Sequence, residues 1–297
     1  MSPESIAGRT NVPAKRSSFG YTEKRGGDSS LSNMTKLRKV KLGAFVIYCV
    51  SDAINPSMFL DRFIRTETQT DKGRGGLKLL SIDGKLFACR KYMHGGIGRA
   101  LTKDLFFTEK RALNELEIML YLKENNFPVV EPAGIFVGED FPFKKPHIIT
   151  MFEENAGDLL EFLKVSSRKQ RLRAIRELAL FLWRLENLGI YHPDLHLRNV
   201  LVKDDGRLIF LDFDKARRKD ISRRDMESMV WRLNRFAEKW EQKGYLRIST
   251  LERLLFLRTY SRLSGYDLEG EMARKAKGKS LLSRAGWFLE SILYGKR

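Results

Sequence analysis

Tyr191-His192-Pro193-Asp194-Leu195-His196-Leu197-Arg198-Asn199, followed by Leu211-Asp212-Phe213-Asp214, is the stretch on which the reading of this chain turns. Asp194 and Asn199 have the spacing of an H-x-D-x-x-x-x-N loop, in which the aspartate accepts the proton of an attacking hydroxyl and the asparagine holds a metal ion. Asp212 falls where the metal-binding acid of a D-F-G-type turn belongs. Between them, Val200-Leu201-Val202 and Leu208-Ile209-Phe210-Leu211 flank Lys203-Asp204-Asp205-Gly206-Arg207, an apolar–turn–apolar pattern that predicts a β-hairpin. The hairpin explains the spacing. It returns Asn199 and Asp212 to one end, where two oxygen ligands can share a hard cation such as Mg²⁺.

The chain around this stretch has 297 residues, 42% of them hydrophobic, enough to build the core of one two-lobed domain or of two small ones. Its longest apolar stretch, around Ala44–Val50, is far too short to span a bilayer. The N-terminus lacks the apolar run of a signal peptide, so the expected address is cytosolic. Cys49 and Cys89 lie apart in apolar runs and make neither a disulfide framework nor a zinc cluster.

The net charge of +18 is unevenly placed. Residues 1–54 carry nine basic and four acidic side chains, and residues 215–297 carry 21 and 10, whereas 55–214 carry 25 and 23. A nearly neutral body with basic flanks is expected to attract polyanions, such as a phosphorylated substrate or an anionic bilayer surface. No recognisable nucleic-acid motif accompanies the charge, so nucleic acid is not an expected partner.

Residues 1–35, rich in Ser, Gly and basic residues, are expected to be a disordered tail. The run to 152 is expected to form a β-rich N-lobe, and 153–297 a helical C-lobe with basic C-terminal helices. In the first lobe, Ala44–Val50 has the look of a strand, Asn55-Pro56 marks a turn and Met58–Ile64 a short helix. Gly73-Arg74-Gly75-Gly76 has the layout of a phosphate-covering glycine loop, although an ordinary turn fits the same letters. Leu77–Ile82, Asp83-Gly84 and Lys85–Tyr92 form a hairpin pattern. On its second strand, Phe87-Ala88-Cys89-Arg90 has the shape of a V-A-I-K strand with Arg90 in the lysine position and Lys91 next to it. Alternation sends these two cations to opposite faces, so only one can meet ATP phosphates. From Asp104 to Asn125 the pattern is helical, with Glu115 and Glu117 as candidates to pair with that cation.

A strand at His147–Phe152 leads to Glu153-Glu154-Asn155-Ala156-Gly157, the expected inter-lobe hinge where backbone groups would meet adenine. Helical patterns then cover Asp158–Lys164, Ser167–Leu188, Ser222–Lys243, Ser249–Leu263 and Ser280–Leu293, with the site hairpin the only strands expected in this half. A strand-rich front and a helix-rich back make this an α+β chain with the two-lobed organisation of the protein-kinase-like fold. Pro193 stands where regulated protein kinases have an arginine, and no A-P-E triplet follows Asp214. The helical pattern resumes too soon for a peptide-binding segment, which favours a small-molecule or lipid-linked acceptor. His196 can touch a γ-phosphate or serve a structural role in the loop; His192 has the position of a buried support.

The chain resembles the lipopolysaccharide kinase family, and within it the 3-deoxy-D-manno-octulosonic acid (Kdo) kinases. The resemblance rests on Gly73-Arg74-Gly75, on Arg90-Lys91-Tyr92-Met93-His94-Gly95-Gly96, and on Glu115 ahead of Phe127-Pro128-Val129-Val130-Glu131-Pro132. It continues through the His192–Asn199 loop to Asp212-Phe213-Asp214-Lys215. The family implies an ATP- and Mg²⁺-dependent transfer to a hydroxyl of Kdo on lipid A, by a peripheral protein at the cytoplasmic face of a Gram-negative inner membrane. The residues themselves give Asp194 as the expected base, with His196 beside it. Asn199 and Asp212 would hold the metal. Gly73, Gly75, Arg90 or Lys91, Glu115 and Glu153 would surround the nucleotide. Two positions depart from the family: His196, where asparagine is frequent, and His94, where arginine is usual. A kinase of the aminoglycoside-phosphotransferase type and a non-catalytic basic scaffold are the competing expectations. The amphipathic pattern near Leu281–Leu293, preceded by Arg274, Lys275, Lys277 and Lys279, fits either an anionic bilayer or packing on the C-lobe.

Overall fold

A computed structural model describes residues 37–50, 54–68, 76–93 and 104–271. The tail 1–35, Gly73 and Gly75 of the glycine loop, His94-Gly95-Gly96 and the amphipathic stretch near the C-terminus lie outside the described residues.

The first lobe is a six-stranded antiparallel sheet built from β1 (Leu37–Leu42), β2 (Phe45–Val50), β3 (Leu77–Ile82), β4 (Lys85–Lys91), β5 (Pro132–Asp140) and β6 (Phe143–Met151), in the order β1-β2-β5-β6-β4-β3. The β3–β4 hairpin forms where Asp83-Gly84 predicts it, and both residues take positive φ, 49° and 72°, as a tight two-residue turn requires. One face of the sheet buries Ile47, Cys49, Leu80, Phe87 and Cys89 with Phe59 of α1 (Pro56–Arg65). Asn55 starts that helix by accepting hydrogen bonds from the backbone N–H groups of Ser57 and Met58, at 3.1 and 3.2 Å. The other face, through Tyr48, Ile135, Val137 and Ile148, packs with α2 (Lys110–Glu124) in a core continuous with the second lobe.

Strand β5 was not expected from the sequence. It lies between β2 and β6 and is buried on both sides from Pro132 to Val137, so the alternation that announces a half-buried strand is absent. The helix expected from Asp104 starts only at Lys110, because Phe106 instead pairs with Lys144 of β6 through two backbone hydrogen bonds of 2.9 and 2.7 Å. Glu109 then pins the helix start to the sheet, accepting from the Tyr48 hydroxyl at 3.0 Å and from Lys144 at 2.6 Å.

The second lobe contains α3 (Leu159–Val165), α4 (Arg168–Asn187), α5 (Arg223–Gln242) and α6 (Thr250–Ser264). Ser167, Ser222 and Ser249 open the last three with capping boxes, closed by Gln170, Asp225 and Glu252. The site hairpin is β9 (Val200–Lys203) with β10 (Leu208–Phe210). It is not the only strand pair here. The short β7 (Ala156–Asp158) adds to β9, and β8 (Ile190–Tyr191) pairs with β11 (Arg217–Arg218). The segment ahead of β5 ties the lobes together: Phe210 N–H donates to Pro128 O at 2.7 Å and Val130 N–H to Phe210 O at 3.1 Å. The fold is α+β and protein-kinase-like, a β-rich lobe and a mainly helical lobe joined by the segment after β6.

Candidate active site

The β9–β10 hairpin closes through Asp204-Asp205-Gly206, with Gly206 at φ 84° and Lys203 N–H donating to Arg207 O at 3.0 Å. At its open end Leu211 N–H donates to Asn199 O at 2.9 Å, which sets Asn199 beside the Asp212 turn. Asp212 itself takes φ 60°. An aspartate tolerates this left-handed conformation better than most residues, and such strain collects where a side chain must be aimed. The Asn199 side-chain N–H donates to Asp194 O at 3.2 Å, which commits the amide nitrogen to the loop and leaves the amide oxygen as a possible ligand. An amide oxygen and a carboxylate are hard donors suited to Mg²⁺. Among the described residues no group of three or more His, Cys, Asp or Glu side chains could hold a metal alone, so such an ion would draw its other ligands from phosphate oxygens and water.

The register separates the two strand cations. Arg90 lies opposite Ile148 and turns toward α2, where its Nη2 donates to both oxygens of Glu115 at 2.8 and 3.0 Å and stands 3.2 Å from Asp212 Oδ1. Lys91 is on the other side of the strand, paired with Asp104, and does not reach the cluster. Glu115, not Glu117, is the helix partner. Its side chain is 2% exposed against 32% for Arg90. Burial pushes the Glu115 carboxyl up to about 7; Arg90 pulls it down, and Asp212 and Asp214 add to the rise. The Tyr92 hydroxyl also donates to Glu115, and its own pKa is raised by burial and by that carboxylate.

A second bridge from α2 was not anticipated. Arg111 grips Asp214 with two donors and reaches Met93 O at 3.3 Å. With Arg90, this ties one helix to both acids of Asp212-Phe213-Asp214. Both arginines lie over the Tyr92 ring, at 5.3 and 5.5 Å. Nothing in the helical pattern marks Arg111, because its partner is 103 residues away.

Asp194 accepts from Lys215 Nζ at 3.0 Å and from Arg232 Nη2 at 2.5 Å. Burial acts to raise its pKa, but Lys215 and then Arg232 outweigh it and hold the carboxyl below its ordinary value. His196 stacks on Phe236 of α5, with ring centroids 4.5 Å apart and planes at 10°. Burial lowers its pKa below the ordinary imidazole value, against an opposing pull from Asp194. His192 is fully buried against Phe213, at 4.9 Å between rings, and burial depresses its pKa to about 4. Glu153 is bound by Lys203 at 3.1 Å, so its side chain ties the segment after β6 to the site hairpin. Beside it opens a cleft of about 580 Å³, lined by Gly84–Leu86, Met151–Asn155 and Lys203–Asp205. Leu79, Ala88 and Leu201, on the alternate positions of their strands, are half-buried.

Two lobes with a strand cation held by a helix glutamate, and the Asp194 loop ahead of a hairpin that ends in an aspartate turn, define the protein-kinase-like class. Within it, the sequence profile of the lipopolysaccharide kinase (Kdo/WaaP) family matches residues 67–251, and the chain belongs to that family. Similar proteins include the 3-deoxy-D-manno-octulosonic acid kinase of Vibrio parahaemolyticus, 24% identical over 52% of this chain and 65% of the relative. The enzyme of the same name from Actinobacillus succinogenes is 30% identical over 50% and 66%. That of Xanthomonas oryzae pv. oryzae is 23% identical over 81% and 95%. The chain thus spans a little under two thirds of the length of the first two.

Proposed function

We propose that this protein transfers a phosphoryl group from ATP to a hydroxyl of a Kdo-containing glycolipid of the lipopolysaccharide inner core. The observation that carries the reading is the chain of contacts Glu115–Arg90–Asp212 next to Asn199 and Asp194, which groups a phosphate-binding cation, two metal-type oxygen donors and a base. Asp194 orients the acceptor hydroxyl and takes its proton. Arg90, fixed by Glu115, steadies the α- and β-phosphates, and Asn199 and Asp212 would hold Mg²⁺. A bound Mg²⁺ would offset phosphate charge. The protein's share is positioning and electrostatic stabilisation, as expected for a loose phosphoryl-transfer transition state. The substrate class comes from the relatives, all three Kdo kinases by name. ATP consumption measured side by side with Kdo-lipid A, free sugars and aminoglycosides tests the reading. Turnover with an aminoglycoside and none with the glycolipid would reject it.

Peripheral attachment to the membrane that carries the acceptor is part of the same proposal. No described helix is long and apolar enough to cross a bilayer. The β5–β6 hairpin tip supports a surface contact: Phe141 is 99% and Phe107 74% exposed, and Phe107 lies 5.3 Å from Phe143. Exposed aromatic side chains of this kind suit the headgroup region. Sedimentation with anionic vesicles is expected, with a smaller bound fraction for Phe141→Ser or for alanine at Arg274, Lys275, Lys277 and Lys279. Equal binding to neutral and anionic vesicles, or none to either, would remove the membrane from the proposal.

A further inference from the structure

Asp194 is held by two cations that the chemistry above does not use. Lys215 Nζ is 3.0 Å from Oδ2 and Arg232 Nη2 is 2.5 Å from Oδ1, so each oxygen of the proposed base already has a positively charged partner. Each carboxylate oxygen keeps a second lone pair for the acceptor hydroxyl, but a cation held on both oxygens lowers their basicity and so weakens the base. Asp194 becomes the stronger base if the cations have another place to go when the acceptor binds.

The surroundings indicate what that place is. One carboxylate faces two full cations, which leaves an excess of positive charge at the mouth of the site. Both cations reach solvent, with Lys215 59% and Arg232 44% exposed. They come from separate elements, Lys215 from the segment after the Asp212 turn and Arg232 from α5. On α5 the exposed row Arg224, Ser228, Arg232, Arg235 and Lys239 repeats at helical spacing and contains no acid. The row therefore offers Arg232 no second carboxylate. The pair is also already arranged around a planar carboxylate, one oxygen to each cation.

We infer that Lys215 and Arg232 form a clamp for the carboxylate of an acidic sugar acceptor, exchanging Asp194 for that carboxylate and so freeing the base for the hydroxyl. The inference rests on the proposed acceptor, whose relatives' name makes it an acid, and adds the residues that recognise its acid group. No proton or electron changes place in the exchange; one ion pair replaces another. It also couples recognition to reactivity, since an uncharged sugar leaves Asp194 capped.

The test compares phosphoryl transfer to a Kdo acceptor and to its carboxylate methyl ester, using the parent, Arg232→Gln, Arg232→Lys and Lys215→Gln. The expected result for the parent is a preference for the acid of roughly ten- to a hundredfold in kcat/KM, the usual worth of a hydrogen bond to a charged group. Arg232→Gln should lose a similar factor on the acid, mostly through KM, and little on the ester, with Arg232→Lys in between. Lys215→Gln should behave like Arg232→Gln. ATP affinity equal to that of the parent certifies that a variant is folded. If a variant does not fold, the parent's acid-to-ester ratio decides alone. Equal use of acid and ester by the parent, or equal losses on both in the variants, overturns the clamp. Losses that instead follow removal of an acceptor phosphate overturn it too, in favour of phosphate recognition. Absence of transfer from the parent to either acceptor overturns the proposed function itself, a result distinct from transfer without preference.

Discussion

Replacing Arg90 by methionine should give a stability deficit that grows with pH, and the size of the growth follows from Glu115. In the folded protein the Glu115 pKa is raised by burial to about 7, against an ordinary 4.5. The folded state then binds the Glu115 proton more tightly than the unfolded chain. Its contribution to stability is complete below pH 4.5 and is lost as pH rises through 7. Above that value folded and unfolded carboxyls are both ionised and the loss levels off. Arg90 is what lets the buried carboxylate ionise at all, through donors at 2.8 and 3.0 Å. Without it the folded pKa moves higher and the loss continues at about 1.4 kcal/mol per pH unit. Relative to the parent, the extra deficit should be near zero at pH 6 and about 2 kcal/mol at pH 8.5, roughly 4–8 °C in Tm. Contributions that do not titrate, such as lost packing on Tyr92, appear equally at both pH values and subtract out. Thermal unfolding of parent, Arg90→Met and Arg90→Met/Glu115→Gln at the two pH values measures this. The double variant should be flat, because no carboxyl remains to titrate. An Arg90→Met deficit identical at pH 6 and pH 8.5 would refute the account of the pair.

Three further outcomes concern the site. Asp194→Asn should leave ATP binding intact and lower kcat by about 10²–10⁴-fold, and a kcat comparable to the parent's would remove Asp194 from the role of base. Asp212→Asn keeps a residue that tolerates the left-handed backbone but weakens a hard anionic ligand, so the Mg²⁺ dependence of ATP binding should shift to higher concentration; superimposable titrations would argue against Asp212 as a metal residue. Arg111→Lys replaces a two-donor grip on Asp214 by a single point charge, so Tm should fall by a few degrees and KM for ATP should rise as α2 loosens; calorimetry with steady-state kinetics checks both.

Local signals made much of this protein legible from its letters. Asp83-Gly84 forces its turn whatever surrounds it, and Ser167, Ser222 and Ser249 start helices through bonds made within four residues. The spacing from Asp194 to Asn199 and on to Asp212 implies the hairpin, and the hairpin alone brings the last two together. β5 escaped notice because a strand covered on both faces loses the alternation that period-2 reading depends on.

What the sequence by itself determined is therefore the class of the protein: the two-lobed order of elements, the positions of the Asp194 loop and the Asp212 turn, and the candidacy of Arg90 and Glu115. Tertiary structure decided which of Arg90 and Lys91 pairs with Glu115, because adjacent strand residues differ only in which face they occupy and α2 packs on one of the two. It also decided the partner of the Glu153 side chain, Lys203, and the partners of the two aspartates that flank the site. Arg111 meets Asp214 across 103 residues and Arg232 meets Asp194 across 38. Ion pairs of that separation carry no periodicity or motif, since they depend on how whole helices dock, and docking is set by the shape of a core assembled from every element at once.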